Sequence, residues 1–417
     1  MKFLIEGGNA LEGRIDVQGS KNSVLPILAA TLLIDGKSVI HNCPCLSDVD
    51  AAVKILTDFG CKVEREGHTL TVDAGTVNNC HVPELLARRM RSSILFLGPA
   101  VSRFGQVEFS FPGGCEIGLR PIDLHLSSLK QLGARISEYS GILNCTAENG
   151  LKGNRIHLSF PSVGATETIL LAASKSKGTT VLSNAAREPE IIDLAHFLNK
   201  AGARIFGAGE SNVVIIGVPA LSSIEHTVIP DRIVTATYLF CAAITGGKIE
   251  INKTQPDFLE AVFPLLEETG CTVKRKTDSV FLRAPEKLDA IKTVRTLPYP
   301  GFPTDLQSPV TALLSVANGT SVVTENIFEN RYKYIGELIR LGANIQTEGR
   351  TAIINGVENL HGASVMATDL RGGFALVIAA LKAEGKTVID KIYHIDRGYE
   401  SPEKVLSSLG ASVKRIT

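Results

Sequence analysis

The sequence lacks the features that would place it in several broad classes. It has no excess of either charge: Lys plus Arg and Asp plus Glu number 43 each in 417 residues. That balance argues against a general binder of nucleic acid or anionic membrane, while leaving room for a local basic pocket. No apolar run reaches the ~18 residues that a membrane-spanning helix needs, so no insertion into a membrane is expected. The opening stretch MKFLIEGGNALEG turns to glycine and polar residues too soon for a signal-peptide core, and a cytoplasmic protein is the expectation. Eight cysteines in so long a chain are too sparse for a disulfide framework and read as thiols. Cys43 and Cys45 in "CPC" have no matching Cys or His pair nearby, so zinc-ligand spacing is missing and no metal site is expected. What is present is apolar: 44% hydrophobic against 21% charged residues, enough for a large core and too much for global disorder.

The chain repeats itself. A helix-like segment ending in Gly, then a small residue, then a strand, recurs as "DFGCKV", "QLGARI", "KAGARI", "ETGCTV", "RLGANI" and "SLGASV". The glycines (Gly60, Gly133, Gly202, Gly270, Gly342, Gly410) are 68 to 73 residues apart and suit left-handed helix C-caps. Cys61 and Cys271 stand where other copies carry Ala, so both read as small core residues. A second series interleaves, with a helix end and a strand around Gly36, Gly105, Gly178, Gly247, Gly319 and Gly385. Unit five closes with the two strands of "AIINGVENLHGASVMATD", whereas unit six stops at "ASVKRIT". The N-terminal "FLIEGGNALEGRIDVQGS" fits the missing tail, so residues 1–20 are expected to complete unit six. The expectation is an α/β protein of six βαβαββ-type units, three per domain. One domain, 1–20 plus 230–417, is discontinuous; the other, 21–229, is continuous and carries the loop 111–123.

Polar residues gather at helix starts. First helices begin at Lys21 and Asn22, at Arg89, Arg91 and Ser92, at Ser162 and Gly164, at Asp231 and Arg232, at Asp305, and at Asp369 and Arg371. Second helices begin near Arg120, Arg187, Arg331 and Arg397. Aspartate there is ordinarily an N-cap. Arginine is disfavoured by the helix dipole, so its recurrence points to a highly anionic ligand, or to pairing with the capping carboxylates. In "FPGGCEIGLRPID", Cys115 follows Gly113 and Gly114 and precedes Arg120, a setting for a reactive thiol rather than a core cysteine.

"GSKNSVLPILAA", "MRSSILFLGP", "FPGGCEIGLRPIDLH", "SVGATETILLAA", "NAAREPEIIDLA", "FPTDLQ", "FENRY", "MATDLR" and "YHIDRGYE" closely resemble the UDP-N-acetylglucosamine enolpyruvyl transferases, end to end. The resemblance implies two inside-out α/β barrels. It also implies transfer of the enolpyruvyl group of phosphoenolpyruvate to the 3′-hydroxyl of UDP-N-acetylglucosamine, the first committed step of peptidoglycan synthesis. No cofactor is implied. It assigns chemistry to Cys115 (proton donor, able to form a covalent adduct), Asp305 (acceptor of the hydroxyl proton), Lys21 and Arg397. Phosphoenolpyruvate would be held by Lys21, Asn22, Arg91, Arg120 and Arg397, with Arg331 and Arg371 reinforcing that side. The nucleotide sugar would meet Arg91, Arg120, Pro121, Ile122, Asp123, Leu124, Ser162, Val163, Gly164, Asp305 and Ile327. Glycines 113, 114 and 118 would let the cysteine loop close as a lid, and fosfomycin would modify Cys115 covalently.

Two places depart from the family pattern: Gly372, Gly373 and Phe374 follow "TDLR", and Phe160 precedes "PSVGAT" where some members carry lysine. Two other readings compete. The 5-enolpyruvylshikimate-3-phosphate synthases share the fold and donor but open differently from "GSKNSVLP" and lack the cysteine lid. A non-catalytic sensor of nucleotide sugars could dispense with Cys115, Lys21 or Asp305, all of which are present.

Overall fold

The computed structural model of the chain describes residues 1–88, 90–111 and 122–417. Among them are six four-stranded sheets with one shared strand order. The sheet of Thr293–Arg295, Thr320–Thr324, Asn344–Glu348 and Thr351–Asn355 shows the pattern. Its first two strands run parallel, with Thr293 opposite Val322, and the fourth strand lies antiparallel between the second and third. A parallel pair needs a crossover, and the helix Gln307–Leu314 supplies it.

These crossover helices explain the architecture. Arg232–Ile244 is buried at every one of its 13 residues, and Leu370–Lys382 and Gln307–Leu314 are nearly as apolar all round. A helix with no polar face must be enclosed on all sides. The three pack on one another. The surrounding strands alternate buried and open positions, as in Lys386–Asp390, so each sheet presents one face to the helices and the other to solvent. Helices are inside and sheets outside. Helices that join second to third strands, such as Ser47–Asp58 and Pro189–Lys200, are amphipathic instead, with one side buried and one open.

The chain divides into two compact units, one of residues 1–18 and 230–417, the other within 19–229. Each has its own apolar core, centred on residues such as Phe240, Leu313 and Phe374 in the first and Leu28, Leu97 and Leu170 in the second. The two N-terminal strands take the tail positions of the sixth repeat and fall in two sheets. Lys2–Glu6 does complete the sixth sheet, antiparallel between Lys386–Asp390 and Ser412–Ile416. Glu12–Asp16 instead pairs parallel with Lys248–Asn252 and opens the fourth sheet. The reason is general: the last strand of each sequence repeat is the first strand of the next sheet. Ser222–Thr227 does the same for Asp35–His41 in the other unit.

The glycine series also holds with one shift. Gly60, Gly133, Gly202, Gly270, Gly342 and Gly410 all have φ between 89° and 109°. In the interleaved series the fourth left-handed residue is Gly246 (φ 70°), not Gly247. Gly247 is required by contact instead, since a Cβ there would stand 2.3 Å from the Leu11 carbonyl oxygen. Gly246→Ala is therefore expected to cost about 1 kcal/mol, whereas Gly247→Ala costs several-fold more by prising the N-terminal segment from its sheet. Thermal unfolding of the two variants measures the difference; equal midpoints would contradict it.

Candidate active site

In the unit of residues 1–18 and 230–417, three aspartates stand at helix starts and behave differently. Asp231 caps the helix Arg232–Ile244, its Oδ1 accepting from the Ile233 and Val234 amides at 3.0 Å each. Asp369 caps Leu370–Lys382 in the same way, accepting from Arg371 and Gly372 at 3.0 Å. Asp305 caps nothing. It lies in the short turn Thr304–Leu306, and both of its oxygens are held by arginines. Arg331 Nη2 donates to Oδ1 at 3.0 Å; Arg371 Nη2 and Nε donate to Oδ2 at 3.0 and 3.3 Å. The arginine side chains are only 3% exposed and the carboxylate 27%. Two buried cations thus brace a partly exposed carboxylate.

That arrangement is expensive unless the cations are compensated. Arg371 lies over the Tyr399 ring and Arg331 over the Phe328 ring, at 5.3 and 5.4 Å. Burial opposes the charge on Arg371, but Tyr399, Asp305 and Asp231 outweigh it and raise its pKa above the ordinary value. The departure at Gly372–Phe374 serves this support. Phe374 stacks on Tyr399 with ring centroids 3.8 Å apart. Side chains at Gly372 or Gly373 would collide with Tyr334 or Ile395. Nε of Arg331 and Nη1 of Arg371 remain buried with no hydrogen-bond partner among the described residues, donors that a ligand oxygen would satisfy.

Arg331 and Arg397 do not start helices, contrary to the sequence reading. Arg331 sits in a turn ahead of Ile335–Arg340, and Arg397 ends the turn Ile392–Arg397, which packs on the helix of Arg371. The dipole argument therefore does not apply to them. Glu325, which sequence reasoning missed, is fully buried and gathers four donors. Oε1 accepts from Thr296 Oγ1 and from the Ile327 and Phe328 amides, at 2.9, 2.8 and 3.1 Å, while Oε2 accepts from Thr304 Oγ1 at 2.8 Å. One carboxylate thus fixes both the backbone of Ile327 and the residue before Asp305. An isolated Glu after a β-strand carries no pattern that would have revealed this.

In the other unit, Lys21 and Asn22 begin the helix Lys21–Ala30, capped by Ser20. Lys21 Nζ lies 3.8 Å from Asp48 Oδ2. The helix start is anchored by Ser23 Oγ, which donates to Asp193. The other oxygen of Asp193 meets His226 Nε2 at 2.9 Å. Serine and histidine both bond the aspartate rather than each other, so this buried trio is a clamp and not a nucleophilic triad. Arg91 opens the turn Arg91–Phe96, which packs against both Lys21–Ala30 and Val163–Ala173.

Ser162 caps Val163–Ala173 through the Ala165 amide at 3.3 Å, which leaves the Val163 and Gly164 amides at the positive end of the helix. His125, from the helix Asp123–Gln131 that also carries Leu124, presses against Gly164, where a Cβ would come within 2.8 Å of its ring. Its Nδ1 meets Thr168 Oγ1 at 2.8 Å. Ile122, Asp123 and Leu124 are thereby joined to Ser162, Val163 and Gly164. Arg187, by contrast, is exposed and donates to the Gly209 carbonyl at 3.1 Å, away from any cluster of cations. Phe160 is 42% exposed. Cys61 and Cys271 are core residues as expected, burial pushing the Cys61 thiol up to about 12. Arg89, Cys115, Arg120, Pro121 and the glycines of the cysteine loop lie outside the described residues.

The profile of the EPSP synthase (3-phosphoshikimate 1-carboxyvinyltransferase) family matches residues 5–406, so the chain belongs to that family of enolpyruvyl-type transferases. Within it, the chain is 53% identical over 415 residues to UDP-N-acetylglucosamine 1-carboxyvinyltransferase 2 of Caldanaerobacter subterraneus subsp. tengcongensis, covering 100% of this chain and 99% of the relative. It is 47% identical, over 99% of each chain, to UDP-N-acetylglucosamine 1-carboxyvinyltransferase of Myxococcus xanthus. Among solved structures, the enolpyruvyl transferase NikO from Streptomyces tendae matches with a TM-score of 0.89 at 26% identity, over 99% of this chain and 98% of that one. An EPSP synthase from Acinetobacter baumannii, at 17% identity and a TM-score of 0.76, shares the fold alone.

Glu167, on the helix Val163–Ala173, is a further acid that the sequence did not single out. Burial, then Glu190 and Glu188, raise its pKa well above the ordinary carboxylate range, with Lys21 pulling the other way. A carboxyl whose pKa is higher folded than unfolded binds more protons in the native state, so stability falls as pH rises above about 4.5 towards the folded pKa. Glu167→Gln removes that penalty. Its melting temperature is expected to exceed that of the wild type by on the order of a few degrees near neutral pH, converging in acid. A constant difference across pH would show that Glu167 is ionised in the fold.

Proposed function

We propose that the chain transfers the enolpyruvyl group of phosphoenolpyruvate to the 3′-hydroxyl of UDP-N-acetylglucosamine, releasing phosphate, as the first committed step of peptidoglycan synthesis. The observation that carries this reading is the likeness over the whole chain, 53% and 50% identical, to proteins that bear the name UDP-N-acetylglucosamine 1-carboxyvinyltransferase. Among the described residues, no helix is long and apolar enough to cross a membrane.

In this reading the sugar oxygen bonds to C2 of the enol while a proton is added at C3. Loss of a C3 proton then expels phosphate as the C2–O bond to it breaks. Asp305 accepts the proton of the attacking hydroxyl. The geometry supports that role, because Arg331 and Arg371 fix the carboxylate in place while leaving part of it open. Those two arginines accordingly act first on Asp305, and their unsatisfied buried donors suit an oxygen of the enolpyruvyl donor. Lys21, Arg91, Arg120 and Arg397 neutralise its phosphate and carboxylate, and Asn22 donates a hydrogen bond to it. Cys115 protonates C3, and fosfomycin modifies it. The helix start at Ser162, Val163 and Gly164 takes the diphosphate, with Arg91, Arg120, Pro121, Ile122, Asp123, Leu124 and Ile327 completing the nucleotide contacts.

Phosphate release in the presence of phosphoenolpyruvate tests the proposal directly. Release is expected with UDP-N-acetylglucosamine and not with shikimate 3-phosphate. Cys115→Ala and Asp305→Asn should each lower kcat by roughly 10²–10⁴. Turnover with shikimate 3-phosphate alone would replace the acceptor, and binding of the nucleotide sugar without turnover would make the chain a sensor.

A further inference from the structure

The "CPC" turn, set aside as a metal site, has a chemistry of its own. It follows Asn42, which has a positive φ of 55°, and is tied to the facing hairpin by the Cys43 amide, which donates to the His68 carbonyl at 2.8 Å. Cys43 is buried and Cys45 exposed. One guanidinium serves both sulfurs: Arg65 Nη1 lies 3.0 Å from Cys45 Sγ and Nη2 lies 3.9 Å from Cys43 Sγ. A ring nitrogen of His68 is within 4.8 Å of Cys45 Sγ. The helix Ser47–Asp58 starts two residues after Cys45, but Asp48 and Asp50 in its first turn offset its positive end, so the cation at the sulfurs is Arg65. A fixed cation and solvent access are conditions that favour thiolate over thiol. The same guanidinium opposes a bound metal ion.

We propose that Cys45 and Cys43 form an oxidant-sensitive dithiol, with Cys45 the attacking thiolate and Cys43 the resolving partner. The Cys45 sulfur attacks one oxygen of a hydroperoxide. The O–O bond breaks, the leaving oxygen takes a proton as water or alcohol, and a sulfenic acid remains. The Cys43 sulfur then attacks the Cys45 sulfur. The S–O bond breaks, the hydroxyl leaves as water with the Cys43 proton, and an S–S bond forms. Two electrons pass from the dithiol to the peroxide. The intervening backbone already turns here, with the Leu46 amide bonded to the Pro44 carbonyl at 3.2 Å.

The turn also touches the start of the Lys21 helix. Three residues after Cys45 comes Asp48, the partner of Lys21. On the other side the Asn42 carbonyl packs so closely on Gly19 that no Cβ would fit there. Any effect of oxidation on substrate rests on the function proposed above; the thiol reactivity does not.

Peptide-resolved mass spectrometry of the whole protein after brief exposure to hydrogen peroxide, with dimedone as the sulfenic-acid trap, decides it. Cys80, partly exposed in the same unit, is the internal reference. The wild type is expected to yield a Cys43–Cys45 disulfide, and Cys43→Ser a dimedone adduct at Cys45. Arg65→Gln should slow Cys45 oxidation several-fold relative to Cys80. Oxidation of Cys45 no faster than Cys80, or unaffected by Arg65→Gln, would overturn the activated thiolate. A dimedone adduct on Cys45 as abundant in the wild type as in Cys43→Ser would overturn the resolving role of Cys43.

Discussion

The constraint from which the rest follows is that a helix with no polar side has to be surrounded. The unit of residues 1–18 and 230–417 has three such helices among its described residues, and three four-stranded sheets enclose them. A crossover helix can be covered on every side only if its sheet passes outside it and the neighbouring sheets close the gap. Because each sheet opens with a strand left over from the previous repeat, three repeats form a closed cycle in which no sheet is complete by itself. Helix starts are the places where this apolar interior has to meet polar chemistry, since unpaired amides there cannot be hidden. The candidate site residues Lys21, Arg91, Val163, Gly164, Asp305 and Arg371 are all at or next to such starts.

At those starts the fold deploys the same local motif for two purposes. Asp231 and Asp369 satisfy amides, as an aspartate before a helix ordinarily does. Asp305 gives up that role and is held by two arginines that are themselves sunk in aromatic surroundings. The cost of burying the arginines is offset by the carboxylate between them, by Tyr399 and Asp231 around Arg371, and by whatever acceptor meets their remaining donors. Stability and ligand affinity are coupled at this point, because the same unsatisfied nitrogens enter both.

Much of this was legible in the residues. The six repeats, with helix and strand alternating around their glycines, follow from the glycine spacing. A repeat in sequence and a sheet in space are offset by one strand, so the pairing of Glu12–Asp16 with Lys248–Asn252 does not follow from the repeat alone. Local pattern does not separate Asp305 from its two look-alikes, since all three precede helices and differ in what reaches them through space; only the family resemblance singles Asp305 out. The helix-dipole argument does not reach Arg331 and Arg397, which turns present. Glu325 joins its own following turn to Thr296 and Thr304, and His125 reaches Thr168; no local pattern encodes these longer contacts.

The split ancestry of one unit bears on the order in which the chain is made. Lys2–Glu6 is made long before its sheet partners among the described residues, Lys386–Asp390 and Ser412–Ile416. The middle unit meets no such delay, because Ser222–Thr227 closes its cycle as soon as it emerges. Synthesis from the N-terminus therefore lets residues 19–229 fold while a strand with two open edges trails ahead of them. That strand, whose burial pattern alternates Phe3 and Ile5 inward, is the segment of the nascent protein most in need of protection from premature pairing.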